Sequence, residues 1–446
     1  MTMKTMHVGF DDTDSTRKGC TTYIAALLVE KLLKLGAGFI DYPNLIRLNP
    51  NVPWKTRGNG AICLRIKHDG RAEHRIKESV LTTVEEFSDL EAEGTDPGIV
   101  FLQKSKVPDE VKTFAQNAIG GIVTLKEALS LVKKFNAEAL GFKDGRGIIG
   151  ALAAIGETLQ RDHTYEILAY RIPRNCGTKR SVDESSIFKM ERLTAPYTFN
   201  NVDTEKNRVI VTPRGPDPIL FGIRGENPKV LKKAFEVVQP LELVERWVIF
   251  RTNQGTDAHL RRVENLSQVE PYKSVIVRGA VSAGPRMIPT RHVIFAIRDE
   301  TAQVDCAAYE PTGGLRKVAM NLAIEDFLEV YGGVRPGSKN RPLTINLEKL
   351  RILKLAPKLA HENPICTKCG KRLESMGKNQ GFRCEKCGSR YRNLSKITVE
   401  TERNMEKGMH VTATRSQRHL TKPLRRYGLE KHGKAPARLI KDWHFP

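Results

Sequence analysis

Apolar positions along the chain change period from stretch to stretch, and each period predicts an element. A short apolar run at residues 6–10 predicts a strand that breaks off at a turn crowded with aspartates. Beyond the turn, Ile24, Leu27, Leu28, Leu32 and Leu35 recur at helical spacing, with Gly36 where a stop is expected. Extended segments follow near 45–48, 60–66 and 98–103, and helices near 73–88, 108–118 and 126–135. Residues 1–135 are therefore expected to form one α/β domain. Residues 136–260 read as a β-α-β-β-α-β succession, from ALGFK through GIIGALAAIGETL and YEILAYRI to WVIFRTN, which predicts a ferredoxin-like domain. The loop at 173–205 departs from that plan. From 268 to 356 five strands surround one short helix, the pattern of an OB-fold barrel. A cysteine cluster at 360–400 and a basic C-terminal tail at 401–446 complete the division.

Length and charge add to this picture. A chain of 446 residues with 40% hydrophobic residues has core enough for several domains. No apolar run approaches the roughly 20 residues that a membrane span needs, and no signal peptide is visible, so a cytoplasmic protein without a membrane partner is expected. The net charge of +22 is unevenly placed: residues 341–446 carry 25 Lys and Arg against 9 Asp and Glu. Such asymmetry is often a solvated face, but it favours a polyanionic partner, with nucleic acid first.

Two Cys-x-x-Cys pairs, Cys366/Cys369 and Cys384/Cys387, each followed by a glycine, supply four thiolates for tetrahedral Zn²⁺. A redox pair or two disulfides are the other readings, and the reducing context favours zinc. With four protein ligands such a zinc is structural. Arg286, Arg291, Tyr309 and Tyr331 give the barrel the mixture of cations and aromatics with which OB folds stack single-stranded bases, although any one aromatic can equally be core. Gly145, Gly147 and Gly150 match G-x-G-x-x-G, but a parallel dinucleotide sheet does not follow; close helix packing near a phosphate or substrate fits better. The opening stretch HVGFDDTDSTRKGCTTY is the most informative. Asp11, Asp12 and Asp14 repel one another and call for a cation, and dense oxygen ligands suit Mg²⁺ on a nucleotide. The helix starting near Thr21 and Thr22 offers its N-terminus to a phosphoryl group, and Lys55, Arg57 and Asn59 lie in a second phosphate-suited loop. A solvated acidic turn is the plainer alternative.

Together, HVGFDDTDSTRKGCTTY, LIRLNPNVPWKTRGNGA, GRGIIGALAAIG, VTPRGPDPILFGIRGE and the two cysteine pairs resemble the TiaS family, the archaeal 2-agmatinylcytidine synthetases of isoleucine tRNA. The resemblance spans essentially the whole chain. It implies a multidomain α/β and α+β protein: a kinase-like ATP-dependent domain, a ferredoxin-like domain, an OB fold and a zinc ribbon. It implies a ligase that uses ATP and Mg²⁺ to join agmatine to C2 of the wobble cytidine of tRNA-Ile with a CAU anticodon, through phosphorylation of the C2 oxygen. Under it, Asp11, Asp12 and Asp14 hold metal and triphosphate, and Thr21 becomes phosphorylated. Thr13, Thr22, Lys55, Arg57 and Asn59 contact the nucleotide. Agmatine carries a guanidinium and an amine, so carboxylates should receive it; Asp217 and Glu226 are candidates on that chemistry. The rival from another class is a non-catalytic single-stranded nucleic-acid-binding protein built on the OB fold and ribbon.

Overall fold

The computed structural model describes residues 3–339, 341–401, 403, 405–431, 433 and 439–446. Strand β1 (Met3–Asp11) is followed by α1 (Thr21–Lys34), β2 (Asn44–Arg47), β3 (Gly60–Asp69), α2 (Glu73–Phe87) and β4 (Gly98–Leu102). Then come α3 (Asp109–Gly120), α4 (Leu125–Lys134), β5 (Glu138–Gly141) and α5 (Gly147–Gly156). In β1 every second residue, Met6, Val8 and Phe10, enters an apolar layer shared with α1 and α2. The opposite layer is built from α3, α4 and α5. Gly9 faces α5 there, and a Cβ at this position would strike the Ala151 carbonyl.

The next unit comprises β6 (Thr164–Arg171), α6 (Glu184–Thr194), β7 (Thr198–Phe199), β8 (Ile219–Gly225), α7 (Pro228–Val237) and β9 (Val244–Thr252). Its strands lie in the order β9-β6-β8-β7, the ferredoxin-like arrangement, but it begins one strand-helix unit later than the sequence succession suggests. ALGFK, as β5, pairs with β4, placing Gly98 opposite Gly141, and α5 packs on β1 and β4 in the first unit. Sheet membership is a long-range pairing that local periodicity does not encode. The two units also share a sheet, because β2 and β9 run parallel with Asn44 opposite Arg251. Their common apolar layer passes from Ile24 and Val80 to Met190 and Leu231.

The barrel is closed: β10 (Ser274–Met287), β11 (Val293–Arg298), β12 (Gln303–Ala308), β14 (Thr344–Lys354) and β13 (Phe327–Arg335) follow one another, and β13 pairs back onto β10. Helix α8 (Gly314–Met320) lies between β12 and β13 in the chain. Tyr331 is buried and bonds Glu329, so it is core rather than a stacking platform; Tyr309 bonds Asn346 and packs edge-on to His292. Beyond the barrel, Lys358–Glu362 pairs with Ile397–Thr401 and carries the cysteine ribbon between them.

The C-terminal segment departs most from expectation. Its described residues form a strap across the other domains instead of a tail. Gly408–Val411 adds to β14, Leu420 enters the layer of α3–α5, and Trp443 enters the layer of α1, with His444–Phe445 pairing to β9. Much of the strap's positive charge is spent internally: Arg403 on Asp326, Arg415 on Asp203, Arg425 on Glu191, and Arg426 on Asp162 and Glu226. In the ribbon, Lys378, Lys386, Arg392 and Lys396 are exposed and show no acidic partner among the described residues. Lys434 and Arg438, counted in the sequence charge, lie outside the described residues. No helix among the described residues is long and apolar enough to cross a membrane.

Candidate active site

Two cavities meet at the end of β1. The first, of about 130 Å³, is lined by Asp11, Asp12, Asp14, Lys55 and Arg146 with Trp54 at its side. The second, of about 380 Å³, is lined from the other direction by Asp14, Thr21, Thr22, Glu166, Asp217 and Arg224. Asp14 and Gly60 border both.

Backbone geometry sets the acids. Asp11 ends β1 opposite Gly98, and α5 comes so near that a Cβ on Gly150 would collide with the Asp11 carboxylate. Gly147 is equally tight against Gly98 and the carbonyls of Asp11 and Asp96. The glycines of GRGIIG therefore serve close packing beside the acids. Asp12 sits at φ 60°, a left-handed conformation that Asp tolerates better than most residues. Arg146 donates to Asp12 at 2.8 Å, lies 3.2 Å from Asp96, and also bonds the Gly94 carbonyl.

Arg57 lines the second cavity and ties Asp14, which borders both, to Asp217. Its Nε donates to Asp14 Oδ2 at 2.7 Å, Nη1 to Asp217 Oδ2 at 3.0 Å, and Nη2 to the Gly19 carbonyl at 2.8 Å. Asp217 also faces Arg180 at 3.3 Å. Thr21 is the first residue of α1, a helix with no acid in its first turn, and its hydroxyl lies 3.0 Å from that of Thr13. Thr13 is fully buried and lines neither cavity, so it positions Thr21 instead of meeting a nucleotide itself. Asn59 lines the first cavity, but at φ 46° its amide donates to the Asn49 carbonyl at 2.7 Å and shapes the loop. Glu226 lies in neither cavity; its carboxylate takes Arg426 at 2.5 Å and Lys431 at 2.5 Å, leaving little for a cationic ligand. Charge type alone does not distinguish an acid matched by internal cations from one open to a ligand.

Burial pushes the Asp11 carboxyl up to about 8, and the charges of Asp12 and Asp14 add to the rise. Asp12 and Asp14 are also raised by burial, although Arg146 and Arg57 respectively pull them down. Asp12 is held by Arg146 and Asp14 by Arg57, whereas Asp11 has no ion pair among the described residues, which leaves its carboxylate for a divalent cation. Among the described residues, however, the three carboxylates do not gather within 4.8 Å of one another as a group. That spread suits Mg²⁺, which keeps waters and substrate phosphates alongside one or two carboxylates. Cys366, Cys369, Cys384 and Cys387 do gather, with Cys366 and Cys387 sulfurs 3.5 Å apart and Cys369 and Cys384 sulfurs 3.4 Å apart. Each pair is turned by a glycine, Gly370 at φ 70° and Gly388 at φ 75°, whose N–H returns to the first cysteine's carbonyl at 2.9 Å. Four converging thiols suit Zn²⁺ and leave no ligand position open.

Sequence reasoning did not single out Arg146, Asp96, Glu166, Arg224 or His419. Arg146 had a signal, since it lies inside the glycine motif. His419 had none: it reaches the second cavity from the strap, with Nδ1 accepting from Arg224 at 3.0 Å.

Profiles for three TiaS domains match the chain: the TCKD domain over residues 7–78, the FLD domain over 145–259 and the C-terminal zinc ribbon domain over 363–405. The TiaS of Methanosarcina mazei, a 2-agmatinylcytidine synthetase of isoleucine tRNA, is 41% identical over 94% of this chain and 97% of its own length. The chain belongs to the TiaS family. The TiaS of Methanocaldococcus jannaschii is likewise 41% identical, over 95% of this chain and 99% of its own. A solved complex of TiaS with its isoleucine tRNA, AMPCPP and agmatine superposes with a TM-score of 0.82 at 39% identity, covering 94% of this chain and 97% of that one. TiaS relatives are named as synthetases, so the reading as a non-catalytic binder is not favoured.

Proposed function

We propose that the protein is an ATP-dependent cytoplasmic ligase that joins agmatine to C2 of the wobble cytidine of the isoleucine tRNA with a CAU anticodon. The supporting observation is the pair of cavities that Asp14 borders in common, with Arg57 tying Asp14 to Asp217, in a chain with TiaS relatives over nearly its full length.

The chemistry sets two demands. A carbonyl oxygen at C2 is a poor leaving group, so it must be phosphorylated before an amine can displace it. The phosphoryl donor and the amine must therefore reach one base from separate places. The first cavity receives the triphosphate, with Asp11, Asp12 and Asp14 as the residues that would hold Mg²⁺. That ion would supply charge neutralisation on the phosphates. Lys55 and Arg146 contribute fixed positive charge at the rim. Thr21, with its hydroxyl oriented by Thr13 at the start of α1, is the phosphoryl acceptor on the protein. The second cavity receives agmatine. Asp14, Glu166 and Asp217 provide carboxylates for a dication, which shares them with Arg57, Arg180 and Arg224, and Leu45, Leu168 and Ile219 provide an apolar wall for its carbon chain. The exposed ribbon cations contact phosphates of the RNA.

The test is incorporation of labelled agmatine into a transcript of this tRNA, with ATP and Mg²⁺, beside a transcript whose wobble cytidine is replaced by uridine. Incorporation into the first RNA alone is expected. No incorporation, or equal incorporation into both, contradicts the reading.

A further inference from the structure

Between the two cavities lies a third space of about 360 Å³, whose lining includes Arg47, Lys55, Arg57 and Arg418 and contains no Asp or Glu. It shares Lys55 with the first cavity, and Arg47, Arg57 and His419 with the second. Its cations are unevenly satisfied. Arg57 is matched by Asp14 and Asp217. Arg418 donates to Asn51 Oδ1 at 2.5 Å and has Glu348 at 3.7 Å. Arg47 and Lys55 have no acidic partner in contact among the described residues, and Arg47 Nε is buried without a hydrogen-bond partner. Gly58 keeps the space open, because a Cβ there would press on Arg47 Nη1 and His419 Nε2.

Gathering Arg47 and Lys55 beside two further cations with no acid of their own is unfavourable unless an anion joins them. Burial draws the Arg47 guanidinium down to about 10, and burial together with the charge of Arg418 lowers the Lys55 ammonium. His419 is held neutral by burial and by Arg47 and Arg224, so it can border an anion without adding charge. Guanidinium groups present parallel N–H donors that match a phosphate's oxygens.

We propose that this niche, completed by Arg418 of the C-terminal strap, is a phosphate-binding site distinct from the triphosphate's place in the first cavity. The phosphate has two sources to choose between, and both rest on the function proposed above. It is either a phosphate released from the nucleotide or a phosphodiester of the RNA strand. The strap then does more than tie domains together: it places a cation where two substrates approach.

The test uses full-length protein and the deciding variant Arg418→Gln, which lines the niche and not the first cavity, beside Lys55→Gln, which is exposed and borders both. Inorganic pyrophosphate binding is measured by titration calorimetry, and tRNA affinity over a salt series. Weaker pyrophosphate binding by about tenfold, with tRNA affinity unchanged, assigns the niche to released phosphates. Weaker tRNA binding, with the salt slope reduced by about one ion, assigns it to the RNA backbone. Unchanged pyrophosphate and tRNA binding in both folded variants overturns the site. Agmatine incorporation by the wild type separates the two claims: if it occurs while the variants bind normally, the niche is wrong and the proposed function stands. If it fails while the variants lose phosphate, the niche stands and the function is wrong.

Discussion

Two groups of carboxylates, one under the C-terminal strap and one in the opening loop, meet surroundings that treat the same chemical group in opposite ways. Under the strap, Asp162 pairs with Arg426 at 3.0 Å and Glu348 with His259 at 3.1 Å and Thr421 at 2.6 Å. Burial raises both acids, but these partners outweigh it. Glu348 is held down to about 2, and Asp162 lies below the ordinary carboxylate range. In the loop, burial and neighbouring carboxylates prevail, and Asp11 rises to about 8. Acids matched by the protein's own cations are joints of the fold. Asp12 and Asp14 still hold Arg146 and Arg57, and Asp11 alone is left without an ion pair among the described residues, at the place proposed above for a cation.

The contrast can be broken first by stability. Arg426→Ala leaves Asp162 and Glu226 buried without their shared cation, and should cost about 3–5 kcal/mol in denaturant unfolding. Asp12→Asn should cost well under that, because burial outweighs Arg146 and holds its carboxyl above the ordinary range; equal losses would erase the distinction between joint and site. Glu348→Gln should cost about 1–3 kcal/mol by weakening a charge-assisted network. Its folded value lies below the unfolded one, so the stability it contributes is present above about pH 4 and disappears as pH falls towards 2. The variant's acid limb should therefore be flatter than the wild type's.

Asp11 carries the opposite sign. Its folded value lies above the unfolded one, so ionising it lowers stability as pH rises from about 4 towards 8. Without divalent cations the unfolding midpoint should decline across that window. Mg²⁺ should raise the midpoint by a few degrees more at pH 8 than at pH 5, and Asp11→Asn should remove the difference. Identical Mg²⁺ responses at both pH values would detach the pH effect from this cluster.

The elements that local periodicity builds were legible: β1, α1, the five barrel strands and the two cysteine knuckles all stand where the residues place them. So was the crowding of Asp11, Asp12 and Asp14, since repulsion follows from adjacency alone. Three things were not. Whether β5 joins the first or second unit depends on a pairing with β4 about forty residues earlier. Whether Glu226 is open depends on Arg426, two hundred residues later. The basic C-terminal segment reads as surplus charge until Arg415, Lys422 and Arg425 meet acids of other domains. Each answer lies in a contact between distant segments, which composition cannot supply.

The most direct measurement follows Asp12→Asn on one folded preparation through three readouts: agmatine incorporation, phosphorylation at Thr21, and tRNA binding. Phosphoryl transfer depends on positioning and charge neutralisation, and removing one stabilising group typically costs about 10²–10³ in rate. Incorporation and phosphorylation should both fall by at least that much while tRNA affinity stays within about twofold, because the exposed ribbon cations are untouched. Near-normal agmatine incorporation by this variant would contradict the account.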